Sequence, residues 1–173
     1  MLLPLGLSNG LIRKGRVMKN FAATMMLALC AASGAQAACE PGSVDLRWAG
    51  GQARFTVEVA ADQAAREKGL MFREHMASSA GMIFVYDAPT HARFWMKNTL
   101  ISLDMIFADQ TGRVTVVHSD AIPQDLTPID GGDGVMYVLE INGGLAARIG
   151  ITAGAELRSD LIDPTKAVWS CAD

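Results

Sequence analysis

A pattern of short strand-like segments separated by turns dominates the sequence after residue 50. Residues 54–59 are the clearest segment, with Phe55, Val57 and Val59 on one face and polar side chains on the other, as in a half-buried strand. Similar strand patterns recur along the chain, at residues 81–86, 93–97, 103–108, 113–118, 135–141 and 156–161. Most connections between them are too short for parallel crossovers. The strands are therefore predicted to form a mainly antiparallel sheet, as a compact barrel or a sandwich-like arrangement.

Two short helices are predicted beside this sheet. Asp62 is a favourable N-cap for a helix over 63–68, and Gly69 suits the position that ends it. A second helix is predicted over 143–149. The polar stretch 120–134 is predicted to be a long connection and thus a candidate functional loop. The fold class that follows is α+β, mainly β, with one or two short helices.

The N-terminus carries the pattern of a secretory leader. A positively charged start at residues 18–20 precedes an apolar run over 21–32, which is too short to span a membrane. A small-x-small site at residues 35–37 predicts cleavage before Ala38 and a periplasmic or secreted protein. The expected organisation is a signal peptide over 1–37 (with Met18 as an alternative start), an N-terminal tether over 38–52, a single globular domain over 53–161 and a C-terminal tail over 162–173.

Cleavage at this site would leave two cysteines, Cys39 and Cys171, one at each end of the mature chain. Two cysteines in an oxidising compartment predict one disulfide. The alternative is that one or both are free for redox or metal chemistry.

The charge of the chain is unevenly distributed. Residues after 37 hold 11 of the 15 basic residues and all 18 acidic ones, a net charge of −7. Such a domain is a poor binder of nucleic acid and of anionic lipid. We expect no stable membrane span after cleavage and a monomer.

The segment 94–99, Phe-Trp-Met-Lys-Asn-Thr, is the strongest candidate for a site. If it is a strand, Trp95 and Lys97 share one face beside Asn98 and Thr99, and together they form a polar pocket wall. The other polar residues assigned to this wall or its network are Arg73, Asp104 and Glu140. A lysine and a carboxylate buried together would shift each other's pKa, as groups in functional sites often do. The alternative is that Lys97, Asp104 and Glu140 form a structural ion-pair network.

Several motifs in order resemble the uncharacterised bacterial and archaeal family known as domain of unknown function 192. They are Gly69-Leu70-Met71-Phe72-Arg73, Gly81-Met82-Ile83-Phe84, Phe94-Trp95-Met96-Lys97-Asn98-Thr99, Leu103-Asp104, Tyr137-Val138-Leu139-Glu140 and the glycines Gly143, Gly150 and Gly154. Ser102 departs from the proline that is common in the family. The resemblance covers residues 53–158 and implies a compact, mostly β fold, but it implies no activity.

Other common chemistries find no support in the sequence. The three histidines, His75, His91 and His118, do not lie at metal-ligand spacing, and no phosphate loop, dinucleotide fingerprint or nucleophile elbow is present. We therefore predict no metal and no cofactor.

Three functions remain open, and whether the protein is an enzyme is undecided. The first is a non-catalytic binding module of the cell envelope, for a small molecule, sugar or peptide in a cleft near Trp95 and Lys97. The second is a hydrolase or transferase with Asp104 or Glu140 as general base and Lys97 as a charge-stabilising group. The third is a structural or chaperone-like role.

Overall fold

The computed structural model of the protein describes residues 39–173, so the predicted leader and its cleavage site lie outside the described residues. The described residues form a curled half-barrel sheet of seven strands and two short helices. In chain order the elements are β1 Ser43–Trp48, β2 Gly51–Ala60, α1 Gln63–Lys68, β3 Ala80–Phe94, β4 Leu103–Asp109, β5 Val114–Ala121, β6 Ile129–Asn142, α2 Leu145–Ile149 and β7 Glu156–Arg158. The mainly β fold class is confirmed.

The strand order is β5-β4-β6-β3-β2-β1-β7, and every neighbouring pair except one is antiparallel. The exception is β2 with β3, which are parallel because α1 and the residues after it supply the crossover that parallel strands require. The two edge strands approach each other at one end, where Arg113 and Glu156 form an isolated bridge. The Leu157 amide also donates to the Gly112 carbonyl at 2.7 Å. The sheet thus curls far enough for its edges to touch.

Apolar layers cover both faces of the sheet, and β6 runs between them. Tyr137, Leu139 and Ile141 belong to one buried cluster, whereas Val138 belongs to the other. Successive side chains on a strand point to opposite faces. Glu140 therefore projects to the same side as Val138, into an otherwise apolar layer.

Helix α1 begins and ends where the local sequence predicts. The Asp62 carboxylate accepts the Ala65 amide at 2.8 Å, and the Gly69 amide donates to the Ala65 carbonyl at 2.9 Å. Gly69 has a φ of 47°, which glycine adopts without steric cost. Helix α2 is shorter than predicted and begins after Gly144.

Three boundary predictions are wrong. Residues 43–48 of the predicted tether form β1, because Val44 and Leu46 are fully buried and pair with β2. The predicted long loop shortens to residues 122–128, because its glycine-rich end is part of β6. The strands predicted over 81–86 and 93–97 are a single strand, β3, which bends at register shifts between Val85 and Arg93 and ends at Phe94.

A disulfide joins Cys39 and Cys171, whose Cα atoms lie 5.2 Å apart. Trp169, two residues before Cys171, is buried. The guanidinium groups of Arg47 and Arg158 lie 4.5 Å and 4.2 Å from the centroid of the Trp169 ring. The cation–π contacts and the disulfide together hold the C-terminal tail on the sheet.

No helix within the described residues is long and apolar enough to cross a membrane.

Candidate functional site

A cavity of about 620 Å³ lies between α1, β3, the loop after β3 and β6. We call it the main cavity. Its charged and aromatic lining residues are Arg66, Glu67, Lys68, Phe84, Tyr86, Arg93, Phe94, Trp95, Lys97 and Glu140. Four predicted site residues, Trp95, Lys97, Thr99 and Glu140, are brought together here. A pocket of this size and mixed lining suits a small molecule.

Glu140 is the most deeply placed charged residue of the main cavity, with only 4% of its surface exposed. Its register partners are Met82 on β3 and Met105 on β4, and both are buried. Burial raises its pKa to about 8, and no hydrogen bond or ion pair from residues 39–173 opposes that rise. The group is therefore mostly protonated at pH 7, and its only route to a charged partner is through the cavity.

Two glycines allow close packing near the main cavity: Gly69 lines it, and Gly81 lies on the opposite face of the sheet from the Glu140 side chain. A Cβ atom on Gly81 would lie 2.5 Å from the Glu140 carbonyl oxygen, so only glycine lets β3 approach β6 this closely. A Cβ atom on Gly69 would lie 3.2 Å from the Phe84 ring, where α1 ends against the cavity wall. Both glycines belong to the motifs that carry the family resemblance.

Trp95 and Lys97 form the exposed rim of the main cavity. Trp95 is 50% exposed, and the Lys97 ammonium lies 5.1 Å from its ring centroid. The buried Thr99 lines the wall below, where its hydroxyl donates to the Lys97 carbonyl at 3.3 Å. Because β3 ends at Phe94, these residues lie on a loop and not on the predicted strand.

Arg66 holds α1 against β3. Its guanidinium donates to the Val85 carbonyl at 2.9 Å and to the Ala61 carbonyl, and it lies 5.4 Å from the Tyr86 ring centroid. Burial raises the pKa of the Tyr86 hydroxyl; the Arg66 charge opposes that rise, and the Glu140 charge adds to it. Arg66 thus places a positive charge beside the cavity in a fixed position.

Asp104 lies outside the main cavity and supports the fold. It is fully buried, and its carboxylate accepts the backbone amides of Asp120 at 2.7 Å, Gly144 at 2.7 Å and Ala146 at 2.6 Å. The last two amides belong to the start of α2, whose N-cap residue Gly144 has no side chain to cap it. Asp104 therefore caps α2 from a distant strand.

Arg73 and Asn98 also lie outside the main cavity. Arg73 pairs with Glu58 at 2.6 Å and lines a neighbouring groove. Asn98 has a φ of 56°, and its carbonyl accepts the Phe72 amide at 2.8 Å, so it fixes the loop.

The ion-pair network predicted for Lys97, Asp104 and Glu140 is wrong. Within residues 39–173 none of the three has an oppositely charged side chain within 4.0 Å. Lys97 is exposed, and Asp104 is bonded to backbone amides.

Sequence reasoning missed Arg66, Lys68, Tyr86 and Arg93. Arg66 and Lys68 are the basic residues of the last turn of α1, so their presence on that helix was visible in the sequence. Their position at the main cavity was not visible, because it depends on the crossover that brings α1 over β3.

Comparison with protein families gives one match over most of the described residues. The model of the DUF192 family, described as an uncharacterized ACR, matches residues 46–159. No curated protein matches the chain.

Two crystal structures are similar in both sequence and fold. A protein of unknown function from Novosphingobium aromaticivorans DSM 12444 shares 40% sequence identity, with a TM-score of 0.65 over 69% of this chain and 90% of its own. A candidate transcription regulator from Sinorhizobium meliloti 1021 shares 38% identity, with a TM-score of 0.65 over 69% of this chain and 94% of its own.

Proposed function

This chain belongs to the DUF192 family, which is described as uncharacterized, and from the cavity itself we propose that it is a non-catalytic binding module of the cell envelope for a small molecule. The observation that carries the proposal is the Glu140 carboxyl group: the residue is only 4% exposed, no described side chain or backbone amide bonds it, and its oxygens keep solvent contact at the cavity. Burying such a group costs stability unless something binds it. A cost of this kind is common at functional sites.

The rim supports the same function. The exposed ring of Trp95 offers a stacking surface, and Lys97 is held beside it. An exposed aromatic ring beside a charge at a pocket entrance is an arrangement that binds ligands with an apolar and a charged part.

Export is part of the proposal and has two supports. One is the leader pattern over 1–37, and the other is the Cys39–Cys171 disulfide, since disulfides persist in oxidising compartments. We expect N-terminal sequencing of the exported protein to begin at Ala38. A mature protein that retains residues 21–32 would contradict this part of the proposal.

The description of the Sinorhizobium neighbour as a candidate transcription regulator is not extended to this chain. In this chain the residues after 37 have a net charge of −7, whereas nucleic-acid phosphates are bound by basic domains.

A thermal-shift screen of the exported protein against small envelope metabolites tests the binding function. A ligand at 100 times its Kd stabilises the fold by about 2.7 kcal/mol, which raises Tm by roughly 10 °C. We expect Trp95→Ala to reduce this shift, because it removes the stacking surface. Phe72→Ala is the matched control, since Phe72 is an exposed aromatic residue outside the main cavity. A screen without hits, or equal shifts in both variants, would count against the proposal.

Acid–base catalysis is the second candidate, and it rests on the same carboxyl group. A Glu140 pKa of about 8 suits a general acid at neutral pH. Asp104 cannot share this role, because its oxygens bind the start of α2. Mass spectrometry of any ligand after incubation with the protein separates the two functions: an unchanged ligand indicates binding alone, and a converted ligand indicates catalysis.

A further inference from the structure

We propose that the ligand of the main cavity is a zwitterion, with an ammonium group that binds Glu140 and an anionic group that binds the cationic rim. An amino acid or a short peptide has this chemistry. The inference rests on the proposed binding function and names the class of molecule that the cavity takes.

The deep end of the cavity favours an ammonium group. The Glu140 carboxyl is 4% exposed, and within residues 39–173 no basic side chain lies within 4.0 Å of it. Aromatic rings line the same cavity, and the rings of Phe84 and Phe94 meet edge to face with their centroids 5.1 Å apart. A carboxylate and aromatic rings together attract an ammonium group, the first through a charged hydrogen bond and the second through cation–π contacts.

The rim favours an anion. Lys68, Arg93 and Lys97 are exposed lining residues, and none has a carboxylate within 4.0 Å among the described residues. These three cations outnumber Glu67, the exposed acidic residue of the lining, so the cavity entrance repels a ligand that carries positive charge alone. A molecule that carries both charges, with the ammonium inward and the anion outward, satisfies both ends of the cavity.

Binding of this kind must depend on pH through Glu140. The charged and titratable groups that face it are Tyr86 and Arg93 on β3, Arg66, Glu67 and Lys68 on α1, and Lys97 on the loop. On β4 its register partner is the uncharged Met105, and the Asp104 carboxylate is bonded to α2.

Burial holds the pKa of Glu140 at about 8, so the unbound group is mainly neutral at pH 7. An ammonium group selects the ionised form. Binding should therefore release about 0.9 proton at pH 7. Below pH 8, the Kd should fall roughly tenfold for each unit by which the pH is raised.

Isothermal titration calorimetry with matched ligands tests the inference on the full exported protein. The standard amino acids are titrated in three forms: free, N-acetylated and C-amidated. We expect at least one free amino acid to bind. For that side chain, the N-acetylated and the amidated forms should each bind about 10- to 100-fold more weakly, because each lacks one charged contact. Titration in buffers of different ionisation enthalpy measures the released proton.

Glu140→Gln keeps the shape of the side chain but cannot ionise. This variant should bind the free amino acid 10- to 100-fold more weakly than the wild type does, and binding should release no proton. Glu74→Gln is the control, because Glu74 is exposed and does not line the cavity.

Equal binding of the N-acetylated form would overturn the inference, since the ammonium group would then be unnecessary, but the proposed binding function would stand. Equal binding of the amidated form would overturn it in the same way for the anionic group. If no free amino acid binds, the inference is wrong, and the metabolite screen alone decides the binding function. The ligand series and the proton release decide the outcome even if Glu140→Gln does not fold.

Discussion

Replacing Glu140 by glutamine tests whether the main cavity holds an uncharged carboxyl group in the unbound protein. Burial raises the pKa of Glu140 from 4.5 to about 8. A folded-state pKa above the unfolded value means that the folded protein holds the proton more tightly. The stability that this provides is fully present below pH 4.5 and is lost as the pH rises to 8.

The size of this loss follows from the shift. Each pKa unit corresponds to 1.36 kcal/mol, so the shift lowers the unfolding free energy, relative to low pH, by about 3 kcal/mol at pH 7 and about 5 kcal/mol at pH 9, because the unfolded state ionises more readily than the folded state. The glutamine side chain of the variant does not ionise and carries no such cost. The difference in unfolding free energy between Glu140→Gln and wild type should therefore shift by about 4 kcal/mol in favour of the variant between pH 5 and pH 9.

Urea unfolding of both proteins at several pH values measures this difference directly. All other titrating groups are common to the two proteins, so the change in the difference reports on Glu140 alone. Glu74→Gln, at an exposed position outside the main cavity, is the matched control. If the Glu140→Gln difference does not change with pH, the carboxyl group is solvated and the reasoning on the cavity fails.

Three further predictions concern the other candidate residues. Asp104→Asn should lower the unfolding free energy by about 3 kcal/mol, because an amide cannot accept all three backbone amides, and a loss below about 1 kcal/mol in urea unfolding would contradict its capping role. Lys97→Ala should change stability by less than about 0.5 kcal/mol, because Lys97 is exposed and contacts only the Trp95 ring; a larger loss by the same measurement would indicate a buried partner. The denatured, unreduced mature protein should contain no free thiol, and two titratable thiols would refute the disulfide. Replacing both Cys39 and Cys171 by serine should lower the unfolding free energy by up to about 5 kcal/mol, since the bridge closes a loop with a sequence separation of 132.

Predictions from the sequence succeeded where the determinant is local. Helix α1 has the predicted bounds because the Asp62 cap and the Gly69 stop act within one turn. The cysteine pair could be predicted by elimination, because only two cysteines follow residue 37.

The structure brings together only part of the predicted site residues. Trp95, Lys97 and Glu140 share the main cavity as expected, but the alternation that placed them on one strand face does not apply beyond Phe94. The partners assumed for Lys97 were also wrong, because the sequence shows which groups carry charge and not which of them meet.

The sequence by itself determined most of the strand segments, the first helix and the polar residue types of the site, because periodicity and capping depend on neighbouring residues. Only the tertiary structure decided that Asp104 caps α2, that β2 and β3 are parallel, and that Glu140 is buried without a partner among the described residues. Each of these depends on contacts between residues far apart in the chain. Such contacts depend on the curl of the sheet and on the position at which α1 crosses it. The packing of the two apolar layers determines the curl and that position.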